Sequence, residues 1–152
     1  MNVKIYSRMA AVALIKSGFP ENVSVISFYS PDGTGGVGRL RVDYSNVCER
    51  VFYVGIPDID ESGFSENGYT EETFFKEADD LADFVFAAVE KGRDIICQCD
   101  FGMSRSAACA AAILEFFEGR GSEIFSNDRY CPNLTVFNRV FSALCKKKML
   151  NR

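Results

Sequence analysis

The chain reads as an α/β protein, a central, mostly parallel, twisted sheet with helices on both faces. Three observations predict it. Short β-prone apolar runs alternate along the chain with segments whose apolar residues recur at helical spacing. At 152 residues, 47% of them hydrophobic and 25% charged, the chain can bury one real core without staples. No internal repeat or long linker divides it, so 1–152 is expected to be a single domain.

In order, Val3–Tyr6 alternates weakly and predicts a short strand, and Ser7 predicts the cap of a helix through Met9–Leu14 that ends near Gly18-Phe19-Pro20. Val23–Phe28 reads as a second strand. Pro31–Gly38 is rich in breakers; it has no Gly-Lys-Ser/Thr and opens no helix, so it reads as a mobile loop or hairpin connection, not a nucleotide-binding turn. Val47–Ile56 is β-prone, and the acidic, turn-rich Asp58–Gly68 is expected to be an exposed loop. Thr70 predicts the cap of a long helix, with Glu71 and Glu72 in its first turn, Phe74, Ala78, Leu81, Val85 and Val89 on its buried face, and Gly92 at its exit. Asp94–Cys99 is a short apolar strand, Asp100–Arg105 a tight loop, and Ser106–Phe117 an Ala-rich helix suited to close packing between layers, ended by Gly119 and Gly121. After Ser122–Asp128 and Pro132, a last helix is expected to carry Leu134, Phe137, Val140, Phe141 and Leu144 on one stripe. Lys146, Lys147 and Lys148 close it as a solvated end that could also steer an anionic substrate.

Composition removes several function classes. With no histidine, a Ser-His-Asp triad, a Cys-His pair and a His-ligated zinc are impossible, and any general acid or base must be a carboxylate, Cys, Tyr or Lys. A net charge of −4 and a pI of about 4.9 argue against nucleic-acid binding. The apolar run Met9–Ile15 is too short to span a bilayer, and no leader-cleavage pattern follows it, so no membrane association is expected and the protein reads as cytoplasmic. Most of the six cysteines, Cys48, Cys97, Cys99, Cys109, Cys131 and Cys145, read as buried free thiols. Their spacing holds no convincing metal-ligand set, so neither metal nor cofactor is expected.

The stretch that carries chemistry is Cys99-Asp100-Phe101-Gly102-Met103-Ser104-Arg105-Ser106, between an apolar strand and a helix. Such a loop turns successive backbone N–H groups inward and backs them with a helix N-terminus, which makes an anion cradle. Gly102 lets the backbone come close or take a positive φ. Arg105 brings a planar fork for two phosphate oxygens. A free thiol titrates near pH 8.5, so only about 3% is thiolate at neutral pH. Lowering the Cys99 pKa by about three, roughly 4 kcal/mol, would make it almost fully nucleophilic. The dipoles that hold a phosphate act in that direction.

Cys-x5-Arg-Ser between a buried strand and a helix resembles the signature of the cysteine-dependent protein tyrosine phosphatases, and Cys-x-x-Gly-x-Ser-Arg-Ser looks most like their dual-specificity branch. The resemblance extends upstream, where the family carries a general-acid Asp on a loop after a strand ending in an Ile-Pro-like pair; Tyr53–Asp60 matches. It covers Val51 to Phe117. Spacing from Ile56-Pro57 matches Asp60 to the acid, with Asp58 as the alternative. The resemblance implies a dual-specificity-phosphatase-like fold and metal-independent hydrolysis of phosphate monoesters, on a phosphorylated protein or a small phosphomonoester. Cys99 would be the nucleophile and Asp60 the acid and then base. Arg105 and the backbone amides of Asp100, Phe101, Gly102, Met103 and Ser104 would hold the phosphate, and Ser106 would hydrogen-bond the sulfur. Asp100 reads as a loop residue whose carboxylate points out. The departure is Gln98, where the family usually has a His that orients the loop and helps set the thiol pKa.

Two rivals follow from the same residues. One is a catalytically inactive phosphate-binding module, favoured by Gln98. The other is a thiol-redox protein using Cys97 and Cys99, against which stands the strain of a disulfide between residues two apart on a strand. The turn Arg129–Asn133 is expected to be structural or to lie at the rim of the site.

Overall fold

The computed structural model describes residues 1–31 and 41–151; of the Pro31–Gly38 loop, all but Pro31 lies outside the described residues. Four strands form one sheet in the order β1-β4-β2-β3, with β1 Val3–Tyr6, β2 Val23–Tyr29, β3 Val51–Gly55 and β4 Asp94–Gln98. Every pairing is parallel: Val3 opposes Ile95, Val23 opposes Asp94 and Val25 opposes Val51. Parallel strands need crossovers, and these cover both faces of the sheet.

Period-two alternation divides the core. On one face Ile26, Phe28, Val54, Ile95 and Cys97 pack against α2 (Ala78–Glu90), α3 (Arg105–Glu118) and α5 (Leu134–Leu150). On the other, Val23, Val25 and Ile96 meet Ala11 of α1 (Arg8–Ser17), Val42 and Tyr44. Ser7 caps α1 as expected, its hydroxyl accepting the Ala10 N–H at 3.0 Å. The alanines of α3 are all buried, so that helix lies close against the sheet and α5. A short helix, α4 (Ser122–Phe125), bridges α3 and the turn before α5.

Four local expectations change. The strand expected over Val47–Ile56 begins at Val51, because the Tyr44 carbonyl takes the N–H groups of Val47 and Cys48 in a turn. The helix expected from Thr70 starts only at Ala78. The Thr70 and Thr73 side chains take each other's backbone N–H groups, and Phe74 and Phe75, adjacent in sequence, are both buried. Phe75 sits at φ +53°, a left-handed conformation that a regular α-helix does not contain, so α2 begins only after it. Leu134 is exposed, not on the buried stripe of α5; at about 100° per residue it lies about 120° around the helix from Val140. Lys146 and Lys147 are not merely solvated, since they pair with Asp79 and Asp83 of α2 at 2.6 and 2.8 Å.

Among the described residues no helix is long and apolar enough to cross a membrane. The carboxyl ends of all four strands point the same way. Ser7, Ser30, Ile56–Asp58 and Cys99–Ser104 therefore gather at one end of the sheet, the position where open parallel sheets bind ligands.

Candidate active site

The loop after β4 wraps around the Cys99 thiol. Cys99 is 2% exposed; its sulfur lies 3.0 Å from the Ser106 hydroxyl and accepts the Gly102 N–H at 3.3 Å. Gly102 is required twice over. Its φ is +67°, and a Cβ there would sit 2.6 Å from the Ser7 backbone nitrogen, so the loop is seated directly on the end of β1. The Asp100 carbonyl takes the Arg8 N–H at 3.1 Å. From the other side, the Met103 and Ser104 carbonyls take the N–H groups of Cys131 and Asn133 at 2.9 and 3.2 Å. Within the turn Arg129–Asn133, Cys131 and Asn133 are thus the struts beneath the loop, and Asn133 also caps α5 by accepting the Val136 N–H. Phe101 and Met103 turn their side chains outward, at 68% and 46% exposure.

Arg105, the first residue of α3, is 3% exposed. Nη1 donates to the Ile56 carbonyl at 2.6 Å and to the Ser30 hydroxyl at 3.2 Å; Nη2 meets Asp100 Oδ2 at 3.3 Å. Nε has no partner. The Asp100 carboxylate does not point out to solvent. It is buried against Arg105, because a guanidinium held under the loop draws in the nearest carboxylate.

The two upstream carboxylates go to different places. Asp58 Oδ1 accepts the Ser104 hydroxyl at 2.7 Å and Asn133 Nδ2 at 2.9 Å, and the same Nδ2 reaches the Ile59 carbonyl at 2.9 Å. This clamp ties the acidic loop to the signature loop. Asp58 also lines a cleft of about 220 Å³ with Ser30, Asp100, Phe101 and Arg105. Asp60 instead caps the short 3₁₀ turn Glu61–Gly63 by accepting from Ser62 N and Oγ, and no hydrogen bond joins it to the signature loop. The Ser62 hydroxyl holds the Asp60 carboxyl below the usual carboxylate range.

Behind the thiol, Gln98 is buried in a neutral network. Its Oε1 accepts Ser27 Oγ at 2.6 Å and the Tyr44 hydroxyl at 2.8 Å, while Nε2 donates to the Cys99 carbonyl at 3.1 Å. Two hydroxyl donors and one carbonyl acceptor leave the amide a single satisfied orientation. Burial pushes the Tyr44 hydroxyl pKa upward, so the network stays uncharged at neutral pH. Sequence reading missed Ser27, Tyr44 and Ser30, which carry no local signal; Asn133 was visible as a polar residue at a turn before a helix.

All six cysteines are free thiols. Cys97 and Cys109 touch in the core, and that contact together with burial holds the Cys97 thiol well above its ordinary pKa, away from redox-active thiolate. Cys97, Cys99 and Cys109 are buried, Cys48 and Cys145 half-buried and Cys131 exposed. Among the described residues no group of three His, Cys, Asp or Glu side chains is gathered to hold a metal.

No family sequence model matches the chain, and no curated protein sequence does. Solved structures do. Human DUSP28 is 16% identical, with 97% of this chain and 94% of that chain covered at a TM-score of 0.57. PTPMT1 in complex with PI(5)P is 14% identical, with 99% and 95% covered at 0.59. The human tyrosine phosphatase-like serine/threonine/tyrosine-interacting protein is 13% identical, with 95% and 86% covered at 0.52. A parallel β1-β4-β2-β3 sheet with helices on both faces and the Cys99–Ser106 loop at its carboxyl end, together with these likenesses, gives the chain the fold of the dual-specificity phosphatases.

Proposed function

We propose that the protein hydrolyses phosphate monoesters through a cysteinyl-phosphate intermediate. The observation that carries this reading is the buried Arg105 Nε without a partner, beside a buried thiol. Among the described residues only one other buried side-chain polar atom, Ser24 Oγ, is likewise unsatisfied. An orphaned buried guanidinium N–H demands an explanation, and a bound oxyanion supplies one.

In this reading the Cys99 thiolate attacks phosphorus in line. The S–P bond forms as the P–O bond to the leaving group breaks. The equatorial oxygens lie against Arg105 and the amides of Asp100–Arg105, with the α3 N-terminus behind them. The leaving oxygen takes a proton from a carboxylic acid. Water then attacks phosphorus and gives its proton to the same carboxylate, and the thiolate departs with the Ser106 hydroxyl hydrogen-bonded to it. Spacing favours Asp60 as that acid. Geometry favours Asp58, which lines the cleft with Arg105 whereas Asp60 caps a turn, and we assign the role to Asp58. A cytoplasmic setting suits the free thiols.

A second reading keeps the cradle and drops the chemistry. It draws on Asp100, whose carboxylate opposes a dianion at Arg105, and on the neutral Gln98 behind the thiol. One experiment separates the two. Aryl phosphate hydrolysis is measured from pH 5 to 8 without metal for the native protein, Cys99→Ser, Asp58→Asn and Asp60→Asn, using a leaving group poor enough to need a proton. Turnover lost in Cys99→Ser, and reduced about a hundredfold or more in Asp58→Asn but little in Asp60→Asn, supports the reading. The reverse order of the two aspartates returns the acid to Asp60. An inert native protein that still binds vanadate leaves the binding module.

A further inference from the structure

The strand β1 is a sheet edge, bonded to β4 alone. The carbonyls of Asn2 and Tyr6 accept the Ile95 and Cys99 N–H groups, so the even-numbered residues of the strand face β4. By alternation, the N–H and C=O groups of Val3 and Ile5 point away from the sheet, with no partner among the described residues. They open into a groove of about 560 Å³ whose far wall is Arg129 and Tyr130 and whose end abuts Phe101 and Gly102 of the signature loop. The lining contains two cations, Lys4 and Arg129, neither in an ion pair among the described residues, and no carboxylate, although the chain carries a net charge of −4. The aromatic side chains of Tyr6, Phe101 and Tyr130 complete it.

We infer that this groove takes the peptide flanking the phosphorylated residue of a protein substrate: an extended, acidic stretch added to the sheet as a strand beside β1. The inference rests on the phosphatase reading for its phosphate end. Free backbone groups at alternate positions ask for another extended backbone, which a small phosphomonoester does not have. Unpaired Lys4 and Arg129 select Asp or Glu on that strand. Contact with Phe101 and Gly102 makes the groove continuous with the phosphate cradle, and four residues of β1 span about 13 Å, so the acidic residues fall within about four positions of the phosphorylated one.

The test measures binding of phosphotyrosine peptides to Cys99→Ser: one with an acidic flank, one with Asn and Gln in its place, an unphosphorylated acidic copy, and two acidic copies N-methylated on opposite alternations of the flank. The inference expects the acidic flank to bind about fivefold or more tighter than the neutral one, two exposed ion pairs being at stake. It expects the double variant Lys4→Gln/Arg129→Gln to erase that difference without changing aryl phosphate turnover in the Cys99 protein. It expects N-methylation to weaken binding about tenfold on one alternation only. Equal binding of neutral and acidic flanks overturns it. So does an acidic preference that survives the double variant, or tight binding of the unphosphorylated copy. A concentration-dependent dimer lost in the double variant also overturns it, by giving the edge to a second copy of the chain. Aryl phosphate turnover keeps the two ideas apart. An inert protein that retains the flank preference removes the catalytic step and upholds the groove, while turnover with no flank preference upholds catalysis and removes the groove.

Discussion

Replacing Gln98 by methionine keeps the side-chain length and removes every hydrogen bond the amide makes. The loss can be worked from the structure. Three buried groups lose their partner at once: Ser27 Oγ at 2.6 Å, the Tyr44 hydroxyl at 2.8 Å and the Cys99 carbonyl at 3.1 Å. An unsatisfied buried polar group costs about 1–3 kcal/mol, so the sum ranges from about 3 kcal/mol upward; the two hydroxyls can rotate toward other acceptors, which holds the expectation near 3 kcal/mol. For a chain of this length that corresponds to a fall in Tm of about 6–12 °C. Urea unfolding of Gln98→Met measures it, with Ser27→Ala/Tyr44→Phe/Gln98→Met beside it. The triple variant removes the two stranded donors and regains most of the loss, because an apolar replacement of both partners costs far less than one partner left alone. A loss below about 1 kcal/mol in Gln98→Met, or a triple variant no more stable than the single one, refutes the claim that this network is satisfied and buried. Gln98→His tests the same site with fewer acceptors: a neutral imidazole donates from one nitrogen and accepts at the other, so it can serve the Cys99 carbonyl and one of the two hydroxyls but not both.

Gly102→Ala should cost about 2 kcal/mol or more and abolish vanadate binding measured by calorimetry, because it combines a positive φ with a backbone contact at 2.6 Å that has no side chain to yield. Asp60→Asn should lower thermal stability near pH 7, by an amount that shrinks as the pH falls into the acid range. The Asp60 pKa is depressed in the folded state, so its contribution is present above the unfolded value of about 3.9 and disappears as pH falls through the folded value. A thiol reagent titrated against Cys99→Ser should label Cys131 first, and Cys97 and Cys109 only on unfolding; adding Cys131→Ser removes the fast phase.

How much of this was legible beforehand depends on how far apart the interacting residues lie. Strand, tight loop and helix over Asp94–Phe117 follow from local rules: an apolar run, a glycine where φ is positive, an alanine-rich helix behind it. Cys99, Arg105 and Ser106 come together because they sit on that one short segment, and their types and spacing suffice to bring the sulfur within 3.0 Å of the Ser106 hydroxyl. Thr70 was legible as a cap, but the helix behind it was not displaced by any local signal. It was displaced because Phe75 takes a left-handed conformation, with its ring and that of Phe74 both in the core. Asp58 and Asp60 are equivalent as sequence. Only the approach of Asn133, 75 residues away, makes one a clamp on the signature loop and leaves the other capping its own turn. The Gln98 network draws on residues 71 and 54 positions distant, and Arg105 on a serine 75 positions distant. Local propensity sets backbone conformation over a few residues, so the order of residues alone was enough for the loop and the buried thiol it wraps. Which acid faces the loop and what stands behind the thiol are settled by packing between segments far apart in the chain, where no local rule reaches.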